Sequence, residues 1–385
     1  MSLIVEGTCQ PEFEPVKMAF AGLYRAHPEL GSACTIFHDG ELVVNLWAGS
    51  TQKEQGLPWQ QDTLVYVFST GKGVVGFCVQ RALDMGLLDL DQKVSYYWPE
   101  YGCEGKKDTP VRAFLDHSAG QPAYRTDLPD QALYDWDYMV STLAKESPWW
   151  RPGSQHGYHM MTFGWLIGEV FRRACGITLN QFLQQEFAQP LGLDMGFGLT
   201  EEQISRVTDV VGNRQNPEPD RMNLFDKVIS DPSSVTARAL TNPSSILHGA
   251  NSHAWRQAEL AAANLHSDAA SLARLYGEAV CGERVISAAA LQRCQQQLRK
   301  GADPVLQVTT RFGPGFMLQQ GDNVEGRFGP GEKAFGHPGS GGSLAFADPD
   351  RRLGFAYVMN QMGPYVLMDP RPVALINAVY ECLEF

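Results

Sequence analysis

The sequence predicts an α+β fold: one antiparallel sheet flanked by helices is built from both ends of the chain, and a mainly helical domain is inserted between them. Three observations carry this prediction. Strand-like segments occur towards both termini, helical patterns accompany them there, and the middle of the chain is helical with long loops. At 385 residues the chain can bury one large core or two unequal ones.

The N-terminal region predicts a helix followed by a hairpin. Residues 12–27 carry apolar side chains at helical spacing. The stretch ACTIFHDGELVVNLWAG then alternates like two strands joined at Asp39-Gly40, a dipeptide that accepts the positive φ angles of a tight turn. From Ser69 the apolar positions again have helical spacing, and Gly86 is placed to cap that helix.

The middle of the chain predicts further helices and one long irregular segment. Residues 162–175 are amphipathic and stop at Gly176, and Thr178 with Gln181 forms a capping-box pattern for the next helix. Residues 201–250 are rich in Asn, Pro, Ser and Asp, so we expect a loop-like lid or pocket wall there.

The C-terminal region returns to β structure after a helix near SDAASLARLYGEAV. GFMLQQ, SLAFAD and LGFAYVMN are strand-like, and PVALINAVYECL closes the chain as a helix. We therefore assign residues 1–75 and 256–385 to the sheet domain and residues 76–255 to the inserted helical domain. Ser69 lies where the chain passes from one to the other, and such clefts tend to hold small-molecule sites.

Composition excludes several classes of partner. The net charge of -12 opposes binding to nucleic acid or anionic membranes, and no stretch has the unbroken apolar length of a membrane helix. No export signal is recognisable at the start, so we expect a cytoplasmic protein. The eight cysteines are scattered without a C-x-x-C pair, which favours reduced, mostly buried thiols over disulfides or a metal site.

The stretch VYVFSTGKGVVGF places Ser69 and Lys72 three positions apart at the start of a helix, and this spacing has two interpretations. One interpretation is structural: serine commonly caps a helix, and lysine on a helix is commonly solvated. The other is catalytic. A side chain three residues along a helix returns to the same face, and an apolar setting favours the neutral amine that could take the serine proton. The Ser69 N–H at a helix start could also stabilise an oxyanion.

Two other serine and lysine motifs are excluded. No G-x-S-x-G occurs, which argues against the nucleophile elbow of an α/β-hydrolase. STGKG is not a phosphate-binding loop either, because Gly73 stands where that loop needs Ser or Thr.

Two further stretches complete a pattern. PGSQHGYHMMTFGWLIGEVF places Tyr158 before a helix, and FGHPGSGGSLAFADPDRRLGFAYVMN puts a glycine-rich segment before a hairpin. With S-T-G-K, these resemble in order and rough spacing the three motifs of the serine β-lactamase and penicillin-binding-protein superfamily. FLDHSAGQPAY and AANLHSDAASLARLYG are similar to the branch that contains class C β-lactamases and the β-lactamase-like carboxylesterases (family VIII esterases).

The resemblance implies a β-lactamase/transpeptidase-like fold and a role for each motif residue. Ser69 would be the acylated nucleophile, Lys72 its base partner, and Tyr158 the tyrosine that relays protons to the leaving group. His337 and Gly339 match the substrate-binding lysine-threonine-glycine motif, and the amide of Ser340 would join that of Ser69 as the oxyanion hole. The implied reaction needs no cofactor or metal.

Departures from the motifs point to ester substrates. Met160 replaces the asparagine that holds a β-lactam side chain, Pro338 replaces threonine, and His337 replaces lysine, so a positive charge there depends on pH. These changes favour a small-molecule carboxylic ester of short acyl chain as substrate. A β-lactamase, a D-amino-acid peptidase, an acyltransferase and a catalytically silent ligand-binding protein of the same fold stay open, as does the oligomeric state.

Overall fold

The computed structural model describes residues 3–51, 56–213 and 215–383. The strands, in chain order, are β1 (Val5–Cys9), β2 (Gly31–His38), β3 (Glu41–Gly49), β4 (Leu64–Tyr66), β5 (Met195–Gly196), β6 (Val207–Thr208), β7 (His266–Ser267), β8 (Arg299–Ala302), β9 (Thr309–Phe312), β10 (Met317–Leu318), β11 (Phe335–Pro338), β12 (Leu344–Asp348) and β13 (Leu353–Met359).

The α-helices are α1 (Glu14–Ala26), α2 (Gly71–Asp84), α3 (Val94–Tyr97), α4 (Arg112–Leu115), α5 (Trp136–Lys145), α6 (Thr162–Cys175), α7 (Leu179–Leu183), α8 (Gln189–Leu191), α9 (Glu201–Ile204), α10 (Leu224–Ser230), α11 (Val235–Thr241), α12 (His253–Gln257), α13 (Ala269–Cys281), α14 (Ala288–Cys294) and α15 (Pro370–Leu383). A π-helical turn, Gln184–Ala188, joins α7 to α8. The 3-10 turns are Pro11–Phe13, Phe68–Thr70, Pro99–Gly102, Asp130–Tyr134, Ser244–Leu247, Val324–Gly326 and Pro349–Arg351.

The large sheet has nine strands in the order β1-β3-β2-β13-β12-β11-β10-β9-β8. Every neighbouring pair is antiparallel. The first three strands come from the N-terminal region and the other six from the C-terminal region, and they meet where β2 pairs with β13. The predicted antiparallel sheet built from both termini is confirmed.

The predicted hairpin at Asp39-Gly40 joins β2 to β3. His38 pairs with Glu41, so the loop contains two residues, and both have positive φ angles, 51° and 82°. A two-residue loop of this kind matches the right-handed twist of the strands it connects. Local turn chemistry therefore fixes the register at this end of the sheet.

Helices cover both faces of the large sheet, as the α+β prediction requires. Along β13, Phe355 and Tyr357 face one core while Ala356 and Val358 face the other, because side chains alternate across a strand. The first core takes the apolar face of α1 (Val16, Phe20 and Leu23) and that of α15, and the second takes α13 and α2.

A smaller sheet, β5-β7-β4-β6, was not predicted. It contains one parallel pair, β4 with β6, between residues far apart in the chain. Its strands are two or three residues long, too short to show the alternation by which a strand is recognised in sequence.

The prediction that residues 201–250 are loop-like is wrong in part, because α9, α10 and α11 form within the range. Thr200, Asn223 and Ser234 cap these three helices by accepting backbone N–H bonds. The same residue types that indicate loops also begin helices, and helices this short show little periodicity.

Three remaining predictions concern domains, thiols and membranes. The proposed borders at 75/76 and 255/256 fall inside α2 and α12, and the domain assignment stays a prediction. The thiols are not mostly buried: the cysteines that are buried number three, Cys34, Cys78 and Cys294. Several others end a helix or strand, as Cys175 and Cys281 do, where neighbours cover one side only. Within the described ranges, no helix has the length and apolarity needed to cross a bilayer.

Candidate active site

Ser69 lies where the smaller sheet passes into α2. β4 ends at Tyr66, and the 3-10 turn Phe68–Thr70 leads directly into the helix. Phe68 has a φ of 51°, in the left-handed region that a bulky side chain rarely adopts and that is often found beside functional groups. The helix begins after Ser69, and neither Ser69 nor Thr70 makes a side-chain capping bond. The interpretation of Ser69 as an ordinary N-cap therefore does not match the structure.

Lys72 returns to Ser69 one turn along the helix. Its Nζ lies 3.1 Å from Ser69 Oγ, 2.8 Å from the Met160 carbonyl oxygen and 2.7 Å from the Ala262 carbonyl oxygen. Carbonyl oxygens can only accept, so the amine must donate to both. A neutral amine has two N–H groups, and its lone pair is then left for the Ser69 hydroxyl. With the amine protonated, its third N–H would donate to Ser69 Oγ instead, so this geometry serves both protonation states.

The electrostatic setting favours the neutral amine. Lys72 is 1% exposed, and burial holds the pKa of its amine well below the usual range. No carboxylate in the described part of the chain forms an ion pair with it to offset this effect. The rings of Tyr158 and Phe163 lie 4.8 and 5.7 Å from Nζ, where aromatic faces can stabilise a cation once the amine takes up a proton.

Tyr158 precedes α6 and is held through its backbone by Asp303. The Tyr158 N–H donates to the two carboxylate oxygens at 2.9 and 3.2 Å, and the same carboxylate accepts the N–H groups of Val305 and Leu306 at 2.9 and 3.0 Å. The Tyr158 hydroxyl lies 3.4 Å from His337 Nε2. Burial raises the pKa of Tyr158, and a hydrogen bond with Ser69 lowers it in part, so the phenol is protonated at rest.

His337 is a neutral hydrogen-bond acceptor towards this hydroxyl. Its Nδ1 lies 2.7 Å from the Pro338 carbonyl oxygen, which can only accept, so Nδ1 carries the proton and Nε2 is free to accept. Burial, and then the nearby Lys72 charge, lowers the pKa of His337 to about 3, against a smaller effect of the bond to Pro338. Near pH 7 the position therefore lacks the charge that lysine has in the related motif.

The segment after β11 lies against the turn that carries Ser69. A Cβ at Gly339 would overlap the Val67 carbonyl oxygen, and Ser343 Oγ donates to that same oxygen at 2.8 Å. Only glycine allows this approach. Ser340 is the residue that follows this contact with the turn of Ser69. Among the described residues, the backbone N–H groups of Ser69 and Ser340 find no acceptor within the protein, so both are available to an oxyanion.

The structure brings Ser69, Lys72, Tyr158 and His337 together, and the catalytic and oxyanion roles of the site residues stay predictions. Met160 supplies its carbonyl oxygen to Lys72, and its side chain packs in the core that also contains Tyr158, Met222 and Leu224. Gly339 permits a close backbone approach. Contact of Met160, His337 or Gly339 with substrate stays a prediction.

Sequence reasoning missed the hydrogen-bonding and packing partners that fix the positions of Lys72 and Tyr158. Ala262 offers only a backbone carbonyl, which no residue type signals. Asp303 is followed by Pro304, and an Asp-Pro pair is equally typical of a turn. The ring of His117 lies 4.9 Å from that of Tyr158, and its Nδ1 accepts the His159 N–H at 3.1 Å.

Comparisons with known proteins agree with this geometry. The Beta-lactamase family model matches residues 20–378. The chain is 30% identical to the esterase/beta-lactamase LipL of Mycobacterium tuberculosis, over 95% of this chain and 85% of that protein. A family VIII carboxylesterase superposes with a TM-score of 0.89 at 36% identity, covering 98% of this chain and 100% of that one. A penicillin-binding protein homologue from Caulobacter crescentus gives a TM-score of 0.89 at 34% identity, with the same coverage.

The superposition covers nearly the whole chain, so the likeness is one of the entire fold. The sequence-based identification and the predicted β-lactamase/transpeptidase-like fold are confirmed. The chain belongs to the beta-lactamase family and is a hydrolase of that fold.

Proposed function

We propose that the protein is a serine carboxylesterase that acts on short-chain acyl esters through an acyl-enzyme on Ser69. One observation carries the proposal: the buried Lys72 amine, which forms no ion pair with any carboxylate among the described residues, donates to two carbonyl oxygens and lies 3.1 Å from Ser69 Oγ. A serine hydroxyl needs a base at this distance to become a nucleophile.

In the first step Ser69 Oγ attacks the ester carbonyl carbon and its proton passes to Lys72. The pKa directions, lowered for Lys72 and raised for Tyr158, favour neutral lysine beside protonated tyrosine as the resting pair. The carbonyl oxygen becomes an oxyanion and accepts the N–H groups of Ser69 and Ser340.

In the second half of the step, the C–O bond to the alcohol breaks. The Tyr158 hydroxyl protonates the leaving oxygen and is reprotonated from Lys72, which restores both groups. Water then attacks the acyl-enzyme carbonyl and its proton passes to the Lys72–Tyr158 pair. The acyl–Oγ bond breaks, the pair returns the proton to Ser69 Oγ, and the acid leaves. No group outside the protein, substrate and water is required for the atoms to balance.

Ester substrates are favoured over β-lactams by what surrounds Tyr158. Met160 offers a thioether where a β-lactam side chain would need an amide, and His337 carries no charge to attract a carboxylate. The names of the relatives, esterase/beta-lactamase and family VIII carboxylesterase, support an ester as the main substrate. We expect nitrocefin turnover to be far slower than hydrolysis of p-nitrophenyl butyrate, and faster nitrocefin turnover would reverse this assignment.

The decisive experiment is Ser69→Ala, assayed with p-nitrophenyl acetate and butyrate. We expect hydrolysis to be abolished, whereas Ser141→Ala, an exposed serine on α5, keeps wild-type activity. A fluorophosphonate probe followed by intact mass should show one adduct on the wild type and none on Ser69→Ala. Retained hydrolysis in Ser69→Ala would refute the nucleophile, and no adduct on the wild type would favour a silent ligand-binding protein. Product analysis with an added alcohol separates hydrolysis from acyl transfer.

A further inference from the structure

The turn that carries Ser340 is hydrogen-bonded, through the following residue Gly341, to the segment of chain after β13. The Gly341 N–H donates to the Tyr365 carbonyl oxygen at 2.8 Å. The Gly341 carbonyl oxygen accepts two bonds, from the Gly363 N–H at 2.8 Å and from Arg371 Nη2 at 2.5 Å. One of these three attachments comes from a side chain, so a substitution can remove it without altering the backbone.

The Arg371 guanidinium uses all five of its N–H groups. Nε and Nη2 donate to the two Asp369 carboxylate oxygens, each at 2.9 Å. Nη1 donates to Glu29 Oε2 at 3.2 Å and to the Gln361 carbonyl oxygen at 2.8 Å, and the remaining Nη2 N–H goes to Gly341. A planar fork bonded at every position cannot rotate without breaking a bond.

The cluster lies in the protein interior. The side chains of Arg371, Asp369 and Glu29 are between 0% and 2% exposed, and the Tyr357 hydroxyl donates to Glu29 at 2.7 Å. A Cβ added at Gly342 would lie 2.6 Å from Arg371 Nη2, so the turn rests directly on the guanidinium. Buried charges with these partners are held in one arrangement.

We propose that Arg371, fixed by Asp369 and Glu29, is the positioning residue of the oxyanion hole. It holds the Gly341 carbonyl, two peptide units after the Ser340 N–H, and the peptide between them is held by the Gly341 N–H bond to the Tyr365 carbonyl oxygen. Together these bonds fix the turn and so the direction of the Ser340 N–H. An oxyanion donor is effective because it is aimed before the charge develops, so a loosely held turn would lose part of its stabilisation. This role rests on the proposed acyl transfer at Ser69.

The test separates positioning of the donor from general support of the fold. A thionoester places sulfur, a weaker hydrogen-bond acceptor, where the oxyanion would form, so its reaction depends less on the two N–H groups. Loss of donor alignment lowers kcat/KM for the oxoester more than for the matching thionoester. A merely structural role lowers both equally.

Arg371→Lys keeps the charge but has only three donors for five acceptors, and Asp369→Asn loosens the fork with little change in shape. We expect each to lower kcat/KM for the oxoester about tenfold to a hundredfold, less than the 10²–10³ expected for loss of a whole donor. The fall for the thionoester should stay within about threefold, in line with its smaller dependence on those donors. Glu169→Gln, a buried carboxylate paired with Arg172 and Arg173 on α6, is the matched control and should not change the ratio. Equal losses on both substrates in Asp369→Asn would overturn the inference.

Binding of phenylboronic acid separates this inference from the proposed function. Boronates add to a reactive serine whatever the natural substrate, so weak or absent binding by the wild type would count against Ser69 itself. Binding by the wild type that Arg371→Lys and Asp369→Asn both retain unchanged would refute the positioning role alone. We expect wild-type binding, weakened about tenfold or more in both variants. The melting temperature of each variant, measured alongside, shows which of the two is folded, and the folded variant decides.

Discussion

Two basic side chains are buried beside the two halves of the active site, and the protein treats them in opposite ways. Lys72 is 1% exposed and has carbonyl oxygens, aromatic rings and Ser69 as neighbours, so burial lowers its pKa. Arg371 is 2% exposed and faces Asp369 and Glu29; the attraction of these groups and Tyr357 outweighs burial, and its pKa is raised well above the usual range. The Lys72 side chain can therefore exchange a proton, whereas the Arg371 side chain cannot.

The contrast shows how one candidate site can combine reactivity with rigidity. A base must exist in two protonation states, so carboxylate partners would hold Lys72 in the charged form and disable it. A support must not change, so full charge and full hydrogen bonding suit Arg371. Solvent exposure is the same in both cases, and the neighbouring charges decide the outcome.

We expect the largest loss of activity when the side chain at position 72 is made permanently charged, as that of Arg371 is. Lys72→Arg introduces a side chain of similar length whose positive charge is permanent, because it cannot lose its proton. We expect kcat/KM for p-nitrophenyl butyrate to fall about 10²–10⁴-fold, the usual contribution of a general base. In the wild type the rate should rise with pH as Lys72 deprotonates and then level off, and this limb should be absent from the variant.

Lys106 provides the matched control for that experiment. It is also buried, its amine donates to the Glu146 carbonyl oxygen at 2.5 Å, and burial lowers its pKa. Lys106→Arg should keep the wild-type pH profile. A similar profile for Lys72→Arg would show that Lys72 acts as a fixed charge and not as a base.

The second prediction removes the support's charge. Arg371→Met leaves Asp369 and Glu29 buried without their cation, and we expect the free energy of unfolding in urea to fall by about 3–5 kcal/mol. Arg284→Met, which breaks an exposed pair with Glu278, should cost no more than about 1 kcal/mol. Equal losses in the two variants would mean that the Arg371 cluster does not stabilise the fold.

The third prediction concerns the pH dependence of the stability that Glu29, a partner of Arg371, contributes. Burial raises the pKa of Glu29 from 4.5 to about 7, against the attraction of Arg371 and the hydrogen bond from Tyr357. The folded state therefore binds this proton more tightly than the unfolded state. The protonated Glu29 carboxyl therefore stabilises the fold fully below about pH 4.5. This contribution falls by about 3 kcal/mol as the pH rises to about 7.

Glu29→Gln tests that sign directly. The unfolding free energy of the wild type minus that of the variant should fall by about 3 kcal/mol between pH 4.5 and 7.5. Asp268, whose pKa burial also raises to about 7, is present in both proteins and cancels in the difference. A difference that stays constant with pH would show that Glu29 is ionised throughout this range.

Local patterns predicted the parts of the fold and site that depend on neighbours in the chain. The hairpin at Asp39-Gly40 follows from two adjacent residues, and the approach of Lys72 to Ser69 follows from helical spacing. The order of the motifs carried the family identification. The two-residue strands of the smaller sheet and the capped helices within 201–250 were missed because each is too short to show a period.

Short motifs in the sequence were enough to nominate the groups that we propose as reactive: a serine and a lysine three residues apart, and a tyrosine before a helix. The directions of their pKa shifts and the groups that hold them could be read only from the folded chain. The carbonyl oxygens that bind Lys72 come from positions 88 and 190 residues away, and the Glu29 partner of Arg371 comes from 342 residues away. The physical reason is that a pKa depends on burial and on the charges within a few ångströms, which chain folding brings together from segments that share no local pattern.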